Sequence, residues 1–160
     1  MARDDKGVND FVEQSAAAMT AAGFPRMPAR VLMALMVADG PGLTAQELGD
    51  RLGASAAAIS GAVRYLQTVR MIRRVSQPGS RRDLYELPED SWYTASIGKN
   101  ALYDLIEQLA AKAVVAIDDP ASVASRRVQE MSDFFVFIQR RLPEVLEEWE
   151  AERGRVTPGA

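Results

Sequence analysis

Between Ser55 and Arg82 stand six arginines, Arg64, Arg70, Arg73, Arg74, Arg81 and Arg82, and not one carboxylate. A guanidinium stays charged at any physiological pH. Its planar fork of N–H donors suits phosphate oxygens and the O6/N7 edge of guanine. The whole chain carries a net charge of −3, so the other 132 residues hold 13 basic and 22 acidic groups. A concentrated positive stretch on an acidic body is the electrostatic footprint of a protein that meets a polyanion. The plainer alternative is a chance cluster of solvated arginines, and the residues around them decide between the two.

Other chemistries are poorly supplied. The 160 residues include no histidine and no cysteine, which removes the commonest general base, the commonest transition-metal ligand and every disulfide or thiol sensor. No two acids share a face beside a Ser or Lys nucleophile, and Asp118 and Asp119 read as helix-capping acids, not metal ligands. No enzyme activity and no cofactor are therefore expected. The start, "MARDDKGVND", is too polar for a secretory signal. The longest apolar run, Val31–Ala38, falls well short of the roughly 18 residues a membrane span needs. These features fit a cytoplasmic protein with no membrane partner. With 48% hydrophobic and 26% charged residues, the chain is an ordinary globular one.

The elements that must position the arginines follow from periodicity and punctuation. Asn9 or Asp10 can cap a first helix ending near Ala22, before Gly23 and Pro25. Pro28 suits the first turn of a second helix carrying Val31, Leu32, Leu35 and Met36. Thr44 caps a short helix, Ala45 to Leu52, with Glu47 placed as the capping partner. Gly53 turns the chain, and Ser55 caps a helix to about Val69. "MIRRVS" and "RDLYEL" read as two strands around a Pro78–Gly79 turn, with Ile72, Val75, Leu84 and Tyr85 or Leu87 facing inward. A long helix is expected from about Ser91 to Ala116, with Leu102, Leu105, Ile106, Leu109 and Ala113 at helical spacing. Asp118–Pro120 should open the last helix, which Pro143 should kink or restart.

Helix, helix, glycine turn, helix, hairpin is the order of a winged helix-turn-helix. The chain is thus mainly α with a small β-hairpin wing. Leu48, Leu52, Ile59 and Val63 form the set that locks the two short helices together. Gly49 sits where their backbones approach, and Gly53 sits where positive φ is wanted. Ser55, Ala56, Ala57, Ser60, Gly61 and Arg64 are left outward, on the face that enters a major groove. A groove about 12 Å wide admits a helix most deeply when its side chains are small. Ser55 and the helix amides can bond phosphate, Ser60 a base edge, Ala56 or Ala57 a thymine methyl, and Arg64 guanine or phosphate. Arg81 and Arg82 at the hairpin tip, beside Ser80, can enter a minor groove, while Arg73 and Arg74 flank phosphates. Thr44 completes the expected DNA-contacting set. The competing reading is an Ala-rich helix packed between layers, which leaves Ser60, Arg64 and the basic hairpin unexplained.

The stretch "LTAQELGDRLGASAAAISGAVRYLQTVRMIRRVSQPGSRRDLYEL" resembles the winged helix of the MarR superfamily, and especially its GbsR-like branch. The likeness extends over nearly the whole chain and includes a "G-S-R-R-x-x-Y" wing at Gly79–Arg82 and Tyr85, with Trp92 soon after. Family members typically carry an Asp and Arg pair in the wing; here Asp83 follows Arg82. The resemblance implies a homodimeric, DNA-binding transcription regulator, often a repressor, on a pseudo-palindromic operator. It also implies dimerisation through the terminal helices and, from the GbsR-like branch, a choline-like cation as effector.

Three further expectations complete the reading. Residues 25–88 form the DNA-binding lobe; residues 8–24 and 91–153 form a helical dimerisation region continuous with it, and 154–160 a frayed tail. Phe11, Val12, Met19, Phe134, Phe135, Ile138, Leu142, Leu146 and Trp149 offer more apolar surface than one small domain covers, and should meet a two-fold mate. Phe24, Trp92, Tyr93 and Tyr103 could line a small-molecule effector pocket by cation–π attraction, though aromatics at such spacings are more often core. The alternative to specific DNA binding is a winged-helix protein-interaction module.

Overall fold

The computed structural model describes residues 4–88 and 101–156. Two compact units divide the chain, residues 1–95 and 96–160.

In the first unit, helix α1 runs Asp5–Ala21 and α2 Arg26–Met36. The two-residue strand β1, Leu43–Thr44, leads into α3, Ala45–Leu52, and then α4, Ala56–Thr68. Strands β2, Arg73–Ser76, and β3, Asp83–Glu86, close the unit. Helix α1 begins a turn earlier than Asn9 or Asp10 would allow. Asp4 is the N-cap, its carboxylate accepting from the Gly7 amide at 3.0 Å. The helix stops where Gly23 takes a φ of +95°.

One core joins these elements. Val12 of α1, Val31, Leu32 and Leu35 of α2, Leu48 and Leu52 of α3, and Ile59, Val63 and Leu66 of α4 are all buried together, with Leu43 and Ile72 beneath the sheet side. The locking set Leu48, Leu52, Ile59 and Val63 thus lies where its spacing put it. Val12, expected at a dimer interface, instead sits in this core, because α1 turns Val12 and Ala16 toward its own unit.

The sheet has three antiparallel strands in the order β1-β3-β2. The pairing of β1 with β3 sets Leu43 opposite Tyr85 and Thr44 opposite Leu84. Gly42 explains how they come so close: a Cβ there would lie 2.4 Å from the Tyr85 carbonyl oxygen.

In the second unit, α5, Ala101–Ile117, packs on α6, Val123–Val156. Ala110, Ser125 and Ser132 are buried, Tyr103 stacks on Phe135 at 5.2 Å, and Gln139 donates to Asp104 at 2.7 Å. Ser122, not the Asp118–Pro120 segment, caps α6 by accepting from the Ser125 amide at 3.1 Å. Asp119 instead shapes the preceding turn, accepting from the Ala121 amide. Helix α6 neither stops nor restarts at Pro143, and it continues to Val156, into the stretch expected to fray. The expected start of a helix near Ser91 and the side chain of Leu102 lie outside the described residues. No helix among the described residues is long and apolar enough to cross a membrane.

Candidate nucleic-acid interface

The turn between α3 and α4 is built by three local devices. Thr44 and Glu47 form a reciprocal capping box: the Glu47 amide donates to the Thr44 hydroxyl, and the Thr44 amide donates to the Glu47 carboxylate at 2.7 Å. These bonds to Thr44 hold the Glu47 carboxyl below its ordinary value of 4.5, with Arg51 and Arg82 adding smaller attraction. Gly53 takes φ +58°, a left-handed conformation in which a side chain is strained. Gly49 meets the turn closely, since a Cβ would stand 3.2 Å from the Ala54 carbonyl oxygen. Ser55 then caps α4, its hydroxyl accepting from the Ala58 amide at 3.2 Å.

Helix α4 has two unlike faces. Ile59, Ala62, Val63 and Leu66 are buried. Ser55, Ala56, Ala57, Ser60, Gly61 and Arg64 are all exposed. Nothing lies within 4 Å of where a Gly61 Cβ would be, so the bareness of this face is not imposed by packing inside the unit. The Ala-rich helix is therefore not sandwiched between layers of its own unit.

The wing carries a charge arrangement that the residue order did not reveal. Register sets Arg73 opposite Glu86 and Ser76 opposite Asp83. Arg73 forms an ion pair with Glu86, and Arg74 one with Asp83. Asp83 also accepts from the Ser76 hydroxyl at 3.2 Å. Arg74 and then Ser76 hold the Asp83 carboxyl below its ordinary value of 3.8. Asp83, which follows Arg82 in the sequence, is thus paired with Arg74 across the strands. The six-arginine stretch lacks acids only along the chain; β3 brings two to its edge.

At the tip, Gly79 has φ +80°, the Ser80 amide donates to the Gln77 carbonyl at 3.1 Å, and the Ser80 hydroxyl accepts from the Arg82 amide at 3.0 Å. Ser80 thereby shapes the turn that carries Arg81 and Arg82, both exposed. A groove of about 270 Å³ between the wing and α3 is lined by Thr44, Ala45, Gln46, Arg82, Asp83 and Tyr85. Among the described residues, Arg64 and Arg81 have no carboxylate partner.

The remaining expected sites fall in different places. Phe11 is exposed and Met19 packs against the first unit's core. On α6, Phe135, Ile138, Leu142 and Leu146 are half-buried, while Phe134 and Trp149 are 57% and 45% exposed. Phe24 meets Tyr65 edge-on at 5.6 Å in the first unit, and Tyr103 stacks on Phe135 in the second. Trp92 and Tyr93 lie outside the described residues.

Two family patterns match, one after the other. That of the MarR family covers residues 22–83, and that of MmpR5-like MarR family transcriptional regulators covers residues 90–152. The HTH-type transcriptional regulator MmpR5 of Mycobacterium tuberculosis (strain ATCC 25618 / H37Rv) is 25% identical over 147 residues, 92% of this chain and 89% of that protein. The putative HTH-type transcriptional regulator YvaV of Bacillus subtilis (strain 168) is 31% identical over 90 residues, 56% of this chain and 50% of that one. The crystal structure of a transcriptional regulator superimposes with a TM-score of 0.79 at 25% identity, covering 91% of this chain and 99% of the other.

Proposed function

We propose that the chain is a MarR-family transcriptional regulator, a reading supported by the two family patterns and the relatives it matches, and that it is a ligand-responsive repressor. In this reading it acts as a homodimer on a pseudo-palindromic operator, and within the family it sits in the GbsR-like branch. The observation that carries the reading is the exposed, small-residue face of α4, flanked by Arg64 and by the Arg81–Arg82 wing tip. Residues without bulk let the helix backbone approach base edges, and free guanidinium groups supply the phosphate attraction.

The division of labour follows from size and charge. Ser55 and the first amides of α4 meet phosphate; Ala56, Ala57, Ser60 and Gly61 line the groove; Arg64 takes guanine or phosphate. Arg81 and Arg82 enter the adjacent minor groove. Thr44 and Ser80 hold the flanking segments in shape. With a single long polar side chain on α4, much of the discrimination comes from the wing, DNA shape and half-site spacing. Two-fold symmetry would set the two α4 helices roughly 34 Å apart, one turn of duplex.

Dimerisation is supported by the apolar side chains that α6 leaves exposed, Phe134 foremost, with Phe11 of α1 as a second contribution. The GbsR-like wing motif supports a choline-like cationic effector held by aromatic faces.

The test is a comparison of affinities at physiological salt, for the DNA upstream of the chain's own gene and for random duplex of equal length. A clear preference for the upstream DNA is expected. Equal affinity for the two would leave the protein-interaction module as the better account.

A further inference from the structure

Arg30 stands outside the candidate interface, yet it ties together three helices that determine where that interface lies. It sits on α2 with its side chain only 18% exposed. Its Nε donates to both carboxylate oxygens of Glu13 on α1, at 2.9 and 3.0 Å. Its Nη2 donates to Glu13 at 2.6 Å and to the backbone carbonyl of Leu52 at 2.9 Å. Leu52 is the last residue of α3, so this carbonyl is one of those a helix end leaves without an intrahelical partner. A cation at that end also meets the negative pole of the helix. Only Gly53 and Ala54 separate Leu52 from Ser55, the cap of α4.

We propose that Arg30 is a positioning residue for DNA recognition, fixing the α3–α4 turn, and through it α4, to α1. The inference rests on the reading that α4 carries duplex binding. With Nε and Nη2 engaged by Glu13 and Leu52, and Nη1 donating to the Met27 sulfur at 3.5 Å, the guanidinium is committed within the protein rather than presented to phosphate. Its role is instead to remove a degree of freedom: Gly53 is the most permissive residue in the turn, and a bond at Leu52 anchors the residue just before it. Lysine keeps the charge but has one nitrogen in place of the fork: its ammonium can at best replace the Nη2 bonds, and the Nε bonds to both Glu13 oxygens are lost, which loosens the anchor. Because α1 also carries the outward Phe11, the same guanidinium links the proposed dimer contact to the proposed groove contact.

The experiment measures affinity for the protein's own upstream DNA and for random duplex, in wild type, Arg30→Lys and Glu13→Gln, with a salt series and a thermal melt for each. Arg30→Lys should lower the preference ratio by about tenfold, by loss of upstream affinity. Its salt slope on random duplex should match wild type, because no phosphate contact is lost. Glu13→Gln keeps an acceptor and should fall between the two. It also guards against a misfolded Arg30 variant, since it removes only a charge at an exposed carboxylate. A ratio unchanged in both variants, whatever the melting point does, overturns the inference. A reduced salt slope in Arg30→Lys overturns it too, in favour of a direct phosphate contact. If wild type itself shows no preference, it is the DNA-binding reading that fails.

Discussion

Arg74 reaches across the wing and is ion-paired with Asp83 on the neighbouring strand. The pair makes the wing arginines unequal. Arg73 and Arg74 brace β2 against β3, whereas Arg81, exposed at the tip, has no carboxylate partner among the described residues. Cross-strand charge pairs of this kind stabilise a two-stranded ribbon modestly, and salt weakens them.

The bracing has a pH signature. Arg74 holds the Asp83 carboxyl below 3.8, so its folded pKa is depressed. The contribution is complete above the unfolded value and is lost as pH falls through the depressed folded one. In a carbon-detected NMR titration, Asp83 should change protonation at lower pH in wild type than in Arg74→Ala. Coincident midpoints in the two proteins would rule the bracing out.

Gly61 should separate stability from binding. Alanine at an exposed helix interior is better than glycine by about 1 kcal/mol, and nothing in the unit would meet the new methyl. Gly61→Ala is therefore expected to unfold at higher urea than wild type while binding its operator more weakly. Unchanged affinity would mean that this part of α4 does not approach DNA closely.

Ile59 is fully buried between the two short helices. Truncation to alanine should cost about 2–5 kcal/mol by urea unfolding, as for other large-to-small core changes. A cost within the range of surface substitutions would contradict the packing described for α4.

The uncovered face of α6 predicts assembly. Phe134→Glu should shift the sedimentation-equilibrium mass from two chains toward one, and weaken operator binding with it. A wild-type protein that sediments as a monomer at micromolar concentration would remove the homodimer from the account.

The parts of this fold that were legible in the sequence rest on local rules. Thr44 with Glu47, Gly53 and Ser55 act within a few residues of themselves, and Leu48, Leu52, Ile59 and Val63 follow one helical period. The parts that escaped depend on partners distant in sequence. Strand β1 is two residues long and becomes a strand only because β3 lies beside it. The Arg73–Glu86 and Arg74–Asp83 pairs need the hairpin register, which no charge count contains. Val12 looked like spare apolar surface because the rotation of α1 is set by packing on α2, not by its own pattern. Arg30 carried no signal at all: its partners are 17 and 22 residues away. Asp4 was missed as a cap because several acids and amides crowd the same start.

The central claim, that the α4 face and the wing tip engage duplex DNA, is tested most directly by a salt titration of binding in wild type and in Arg64→Ala/Arg81→Ala. For wild type, the logarithm of the association constant should fall linearly with the logarithm of salt concentration. The double variant should bind more weakly, with a slope shallower by roughly 0.9 for each phosphate contact removed. A double variant that matches wild type in both affinity and slope would contradict the account.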